Sequence, residues 1–294
     1  MSLVVFERTF RIRYSECDPY GRLKDTQYIR LMLETAFDAS ASVGYSFEKY
    51  QKIGCHWIIR LTDIEYLNPL YYDDIVCVRT WVEDFQRVRS LRRYEFRKPG
   101  TNELVAQAVT DWVLLDSKSG IPKSIPPEII TAYLPERGVR LSRSRRRFPN
   151  SPPPPEGVFR MERQVEWRDL DIGQHVNNAI YLAFLEEAAI RHYDSRQWSL
   201  AKMNKEGFGI FAQGHIIEYL QPARLGETLL VSTWLSNIRR ESTTRHYEIH
   251  RQTDQQLIAR SRSDYVWTDL SSNKPIRIPE QFLQDFSDNI VLQQ

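Results

Sequence analysis

The sequence predicts an α+β fold made twice over: two copies of a long helix wrapped by an antiparallel sheet. Three observations carry this. The chain repeats itself: at the one offset that sets Asp18 on Asp171, Tyr14 falls on Trp167, Glu16 on Asp169, Tyr28 on Tyr181 and Glu34 on Glu187 without a gap. At that same offset I-E-Y-L-N-P falls on I-E-Y-L-Q-P, Thr80-Trp81 on Thr233-Trp234, Tyr94-Glu95 on Tyr247-Glu248, Asp111 on Asp264 and Pro126 on Pro279. Chance does not hold one offset over most of a domain, so the chain is a tandem duplication. Within each copy one apolar helical stretch precedes four strand-like stretches. That helix is apolar on most sides, so it should be buried on most sides.

Taken in order, a strand comes first in each copy (residues 5–14 and 159–167). A polar turn follows, then the helix (about 27–43 and 180–196). In the second helix Tyr181, Phe184, Leu185, Ala188 and Ala189 recur at i, i+3, i+4, i+7 and i+8, with Ile180, Leu182, Ala183 and Ile190 covering much of the remainder. Four strands complete the first copy at 57–66, 75–85, 88–97 and 104–115. Their counterparts lie at 210–220, 229–238, 242–250 and 257–268. Stretches such as V-C-V-R-T-W-V and Y-E-I-H-R alternate in the manner of half-buried antiparallel strands. The expected boundaries are residues 1–136 and 158–294, joined by an Arg- and Pro-rich linker at 137–157. Its four consecutive prolines favour extended polyproline II and cannot continue a helix or a central strand.

The bulk properties exclude several classes. The 294 residues, 41% hydrophobic, can bury one large core or two ordinary ones, and a net charge of +2 gives no reason to expect a nucleic-acid partner. Plentiful aromatics, 15 Tyr, 13 Phe and 7 Trp, suit sheets and a roomy apolar cavity. The three cysteines, Cys17, Cys55 and Cys77, are odd in number and lack C-x-x-C spacing, so they are expected as buried thiols of a cytoplasmic protein. No apolar run reaches membrane-spanning length, and the N-terminal residues lack a signal-peptide core. His215, His246 and His250 show no metal-ligand spacing and read as sheet residues, so neither a metal nor an organic cofactor is expected.

The chemistry concentrates in W-R-D-L-D-I-G-Q-H-V-N-N-A-I-Y-L-A-F-L-E-E, from Trp167 to Glu187. Two carboxylates, a histidine and two asparagines stand where the following helix offers unpaired backbone N–H groups. This stretch resembles the D-x-D-x-x-x-H-V-N-N-x-x-Y signature of hotdog-fold thioesterases. The first copy, H-W-I-I-R-L-T-D-I-E-Y-L-N-P-L-Y-Y-D-D-I-V-C-V-R-T-W followed by D-W-V-L-L-D, resembles the N-terminal half of acyl-[acyl carrier protein] thioesterases. The resemblance implies a tandem (double) hotdog, a two-fold dimer copied inside one chain. It also implies hydrolysis of an acyl thioester to a free fatty acid, with acyl carrier protein as the favoured carrier and coenzyme A as the alternative. A homodimer of double hotdogs stays open. So do a non-catalytic acyl-thioester binder and, more weakly, a hotdog dehydratase.

Carried over by position, the family's catalytic acid matches Asp171 and its histidine His175. The chain departs from the pattern at Gly173, where the family often has asparagine. It departs again at Pro222 and Ala223, where a Glu-Cys pair is common, so a mechanism built on Asp171 without a second glutamate is expected. Asp171 would act as general base or nucleophile, and the N–H groups around Ala179 to Tyr181 would polarise the thioester carbonyl. His175 would orient water, carboxylate or thioester, unless it is only a hydrogen-bonded turn residue. Asn177 is placed with the catalytic set. Asn178 is read as a substrate contact or, like its counterpart Asp25, as a helix N-cap. Asp169 reads chiefly as turn structure.

The first copy keeps Asp18 but has Arg22 in the histidine position and Lys24 and Asp25 for the asparagines. Asp18 is therefore a candidate second site or part of an acyl-binding wall, with Trp57, Ile59, Met32 and Phe37 as candidate lining. The run Arg137, Arg140, Arg143, Arg145, Arg146 and Arg147 is either a solvated linker or a docking strip for acidic carrier protein.

Overall fold

The computed structural model describes residues 4–134 and 147–292. The chain divides between Arg147 and Phe148 into two compact units. The first unit runs β1 (Phe6–Arg11), a 3-10 turn (Tyr14–Glu16), α1 (Asp25–Ser42), α2 (Phe47–Lys52), β2 (Cys55–Tyr66), β3 (Ile75–Phe85), β4 (Arg89–Arg97), β5 (Leu104–Asp116) and α3 (Pro127–Tyr133). Its strands pair antiparallel in the order β1-β3-β4-β5-β2.

The second unit repeats the plan with β6 (Phe159–Gln164), a 3-10 turn (Trp167–Asp169), α4 (Asn178–Ser195), α5 (Leu200–Lys205), β7 (Phe208–Tyr219), β8 (Thr228–Ser236), β9 (Ser242–Arg251), β10 (Leu257–Asp269) and α6 (Glu280–Asp285). Its antiparallel order is β6-β8-β9-β10-β7, and a short β11 (Ile290–Val291) lies parallel to β8. The duplication extends to irregularities. A bulge passes over Arg60 between β2 and β5, and its positional counterpart passes over Gln213 between β7 and β10.

Both long helices start two residues before the expected point, because their polar first residues suit the helix N-terminus better than the apolar pattern reveals. The short helices α2 and α5 carry no apolar period, so the sequence pattern does not reveal them. Each opens on a serine N-cap: Ser46 accepts from the Lys49 N–H and Ser199 from the Lys202 N–H. α4 buries Ala179, Leu182, Leu185, Ala188, Ala189 and His192. The expectation of burial on most sides fails at one position in each copy, since Phe37 and its counterpart Ile190 are both 51% exposed. Each therefore lies on the helix stripe that turns away from the sheet.

Of the expected linker, residues 137–146 lie outside the described residues, and with them every arginine of the basic run except Arg147. Residues 148–157 belong to the second unit, where the Arg260 guanidinium covers the Phe148 ring at 4.4 Å. Only Cys55 among the cysteines is buried. Cys77 alternates with the buried Val76 and Val78 and so faces the other side of β3, its Sγ 3.8 Å from Glu7 Oε2. Among the described residues no helix is long and apolar enough to cross a membrane.

Two of the buried histidines of the second unit, His192 and His246, are held neutral. His192 Nδ1 faces Arg245 Nη1 at 3.1 Å; arginine can only donate, so the ring proton sits on Nε2. Burial, helped by the charge of Arg245, pushes its pKa down to about 2. His246 is held by Ser236 Oγ at 2.7 Å and Ser151 Oγ at 3.1 Å, and burial lowers its pKa to about 4. Below pH 6.5 the unfolded chain binds protons at these sites that the folded chain refuses, so stability falls as pH drops through that range. For His246 the window is pH 6.5 to 4, worth roughly 3 kcal/mol at its full extent. Urea unfolding at pH 7.5 and pH 4.5 is expected to show this loss, and His246→Gln is expected to reduce its pH dependence.

Candidate active site

The turn at the start of α4 is built by backbone bonds before any side chain takes part. Asp171 N–H donates to His175 O at 3.1 Å, and Gln174 N–H returns to Asp171 O at 2.9 Å. The tight loop puts Gln174 at φ 60°, and Gly21 at φ 77° fills the equivalent place in the first unit. Two further bonds fasten the turn to its surroundings: Val176 N–H to Ala223 O and Asn177 N–H to Asp169 O, both 2.9 Å. Asp169 is buried against Arg163, at 3.0 Å, and accepts from the Glu166 N–H, so it serves the turn as expected.

Asp171, half-buried, is placed by donors on both oxygens. Its Oδ1 accepts from the Gly173 N–H at 2.9 Å, and its Oδ2 accepts from Asn177 Nδ2 at 3.3 Å. His175 Nδ1 stands 3.7 Å from Oδ1, a contact rather than a hydrogen bond. Asn177 also caps α4, its Oδ1 accepting from the Ala179 N–H at 2.9 Å. One side chain thus joins the carboxylate to the helix end. The structure brings Asp171, His175 and Asn177 together.

The remaining expectations divide. Asn177, not Asn178, is the N-cap, and in the first unit the cap position is Lys24, not Asp25. Ala179 is wholly buried with its N–H taken by Asn177, and the Ile180 N–H bonds Asn177 O, so neither amide faces a substrate carbonyl. The Asn178 N–H, first of the helix, has no intrahelical partner. Tyr181 is packed into the core of its unit. It is buried, ringed by Phe184 and Tyr219, and its hydroxyl accepts from the Ala223 N–H at 3.3 Å. Burial raises its pKa well above the ordinary tyrosine value. Trp57 lies on β2 in the first unit, edge-on to Tyr50 at 6.5 Å in an aromatic cluster.

Asp18 occupies the same turn in the first unit. Its Oδ1 accepts from the Tyr20 and Arg22 N–H groups, each at 2.9 Å, and burial raises its pKa against the opposing pull of those bonds. Lys24, in the place of Asn177, turns its ammonium to Ser15 O at 3.2 Å. Among the described residues no cluster of His, Cys, Asp or Glu has the arrangement to hold a metal ion.

Residues 165–286 match the thioesterase-like superfamily model, and residues 3–133 match the acyl-ACP thioesterase N-terminal domain. The long-chain acyl-CoA thioesterase FadM of Escherichia coli (strain K12) is 31% identical over 123 residues, 40% of this chain and 90% of the relative. The chain belongs to the thioesterase-like superfamily. The chloroplastic acyl-[acyl-carrier-protein] hydrolase FATB2 of Cuphea viscosissima is 23% identical over 194 residues, 63% of this chain and 47% of the relative. The chain thus spans about half the length of such plant relatives. A putative oleoyl thioesterase from Lactobacillus plantarum superposes with TM-score 0.78 at 19% identity, over 90% of this chain and 97% of that one. The 12:0-ACP thioesterase from Umbellularia californica gives 0.69 at 19%, over 89% and 93%. Both units are therefore hotdogs, in the double arrangement.

Within this thioesterase-like chain the two departures acquire physical reasons. A Cβ at Gly173 would lie 2.8 Å from His175 Nε2 and 3.0 Å from Asp171 Oδ1, so an asparagine there would need another seat for the imidazole. Ala223 works through its backbone, receiving the Val176 N–H and donating to the Tyr181 hydroxyl, and Pro222 O accepts from Arg251 at 3.1 Å. No pattern of side-chain types marks such backbone anchors.

Two measurements check this geometry. Asn177→Ala is expected to cost about 1 kcal/mol in urea unfolding, and Asn178→Ala less than about 0.5 kcal/mol. Gly173→Ala should leave stability nearly unchanged, because the clash is with the end of a rotatable side chain, while shifting the His175 ring resonances in NMR spectra.

Proposed function

We propose that the chain hydrolyses acyl thioesters at the turn before α4, with Asp171 as the base. The observation that carries this is a carboxylate held by Gly173 N–H and Asn177 Nδ2 at a helix N-terminus, with the His175 ring beside it. Asp171 takes a proton from water as its oxygen adds to the thioester carbonyl. The Asn178 N–H and the positive end of the α4 dipole receive the negative charge that develops on the carbonyl oxygen. The tetrahedral intermediate then expels the thiolate, a good leaving group because thiol pKa values lie near 8.5. The proton held by Asp171 passes to the sulfur, directly or through His175, and a free carboxylic acid departs. Firm tethering of both carboxylate oxygens favours this role over direct attack, which would require Asp171 to leave its donors.

Acyl carrier protein is the favoured carrier, supported by the match of the first half to the acyl-ACP thioesterase N-terminal domain. Coenzyme A is the second reading, supported by the 31% identity over 123 residues to an acyl-CoA thioesterase. The test is thiol release from acyl-carrier-protein and acyl-coenzyme A panels. Asp171→Asn should lose at least about 100-fold in kcat, and Asp18→Asn should stay within about twofold of the parent. Full activity in Asp171→Asn would overturn the site. Tight acyl-thioester binding without turnover would make the chain a binder.

A further inference from the structure

An apolar rim borders the Asp171 turn. Trp167 is 81% exposed, Ile172 79% and Leu225 55%. The backbone brings them to one place: Val165 N–H bonds Glu227 O, Gly226 N–H bonds Val165 O, and Val176 N–H bonds Ala223 O, so the 223–227 loop flanks the turn at both ends. In the first unit the counterparts of Trp167 and Leu225, Tyr14 and Tyr72, meet edge to face at 6.0 Å. Large apolar side chains clustered in water at equivalent places of both units are a contact surface rather than a scatter of single residues.

The second rim carries two arginines that the first lacks at the same positions. Beside the second stand Arg168 and Arg224, both exposed; the first unit has Ser15 and Tyr71 in those places. The carboxylates nearby are largely engaged: Asp169 is buried on Arg163, and Glu227 faces Arg251 at 3.1 Å. Glu166 pairs with Arg168 at 2.6 Å, but a pair so exposed holds its partner weakly.

We propose that Trp167, Ile172 and Leu225, with Arg168 and Arg224, form the docking face for the acidic surface of an acyl carrier protein. This rests on the acyl-thioester reading above. A thioester carbonyl at Asp171 leaves its carrier arm to exit past Ile172, the next residue, so the carrier body stands over this rim. An exposed tryptophan flanked by arginines is the composition that dominates protein interfaces, and the cations supply complementarity to an acidic partner.

The test compares one acyl chain on acyl carrier protein, on coenzyme A and on pantetheine, together with titration of fluorescently labelled holo-acyl carrier protein. Arg168→Glu with Arg224→Glu is expected to raise KM for acyl-carrier-protein about tenfold, more steeply at low salt, with acyl-pantetheine kinetics unchanged. Trp167→Ala should weaken holo-carrier binding similarly, with the unfolding midpoint retained. Equal losses on all three substrates, or unchanged carrier binding, would overturn the proposal. A defect on coenzyme A alone would assign the arginines to its phosphates and overturn it as well. A rim-dependent dimer in sedimentation would give the face to a second copy. If the parent hydrolyses nothing, the reaction fails, and the titration still decides the docking face.

Discussion

The site depends on one amide. Asn177 spends its oxygen on the Ala179 N–H and its nitrogen on Asp171, so the start of α4 and the position of the carboxylate are fixed by one side chain. A helix end must satisfy its first N–H groups somehow, and the usual solution is a short polar side chain with no further duty. Here the residue that ends the helix also aims the carboxylate. The arrangement stays rigid because its surroundings are held from below by the buried Tyr181 hydroxyl, which receives the Ala223 N–H, and by Val176 on Ala223 O. Carboxylate, cap and neighbouring loop form one connected network, and such networks resist rearrangement more than isolated contacts do.

Much of this was legible in the sequence because its causes are periodic or repeated. The duplication needed only an offset, and the sheets follow from alternation. The expected strands differ from the observed ones by at most three residues at any end. What escaped detection depends on direction rather than composition. Asn177 and Asn178 are the same residue type side by side, and only the path of the chain decides which one caps. Ala179 and Tyr181 looked available because their position at a helix end was visible and their hydrogen-bond partners were not. The serine-capped α2 and α5 are too short for an apolar period to register. Ile190 and Phe37 count as apolar in any helical pattern, yet both face away from the sheet.

The two turns separate what the fold requires from what the chemistry requires. Asp18 and Asp171 both accept N–H groups from their own loop, at 2.9 Å in each case. The loop needs an acceptor there to close, so an aspartate is retained whether or not it reacts. Its presence in both copies is therefore no evidence of two active sites. The discriminating residues are those the loop does not need. Lys24 offers no amide donor to the carboxylate, turning its ammonium to Ser15 O instead, and Arg22 stands in place of the imidazole. In the second copy Asn177 and His175 supply both, and Gly173 leaves the room that the imidazole occupies. The case for Asp171 rests on those three neighbours more than on the aspartate itself.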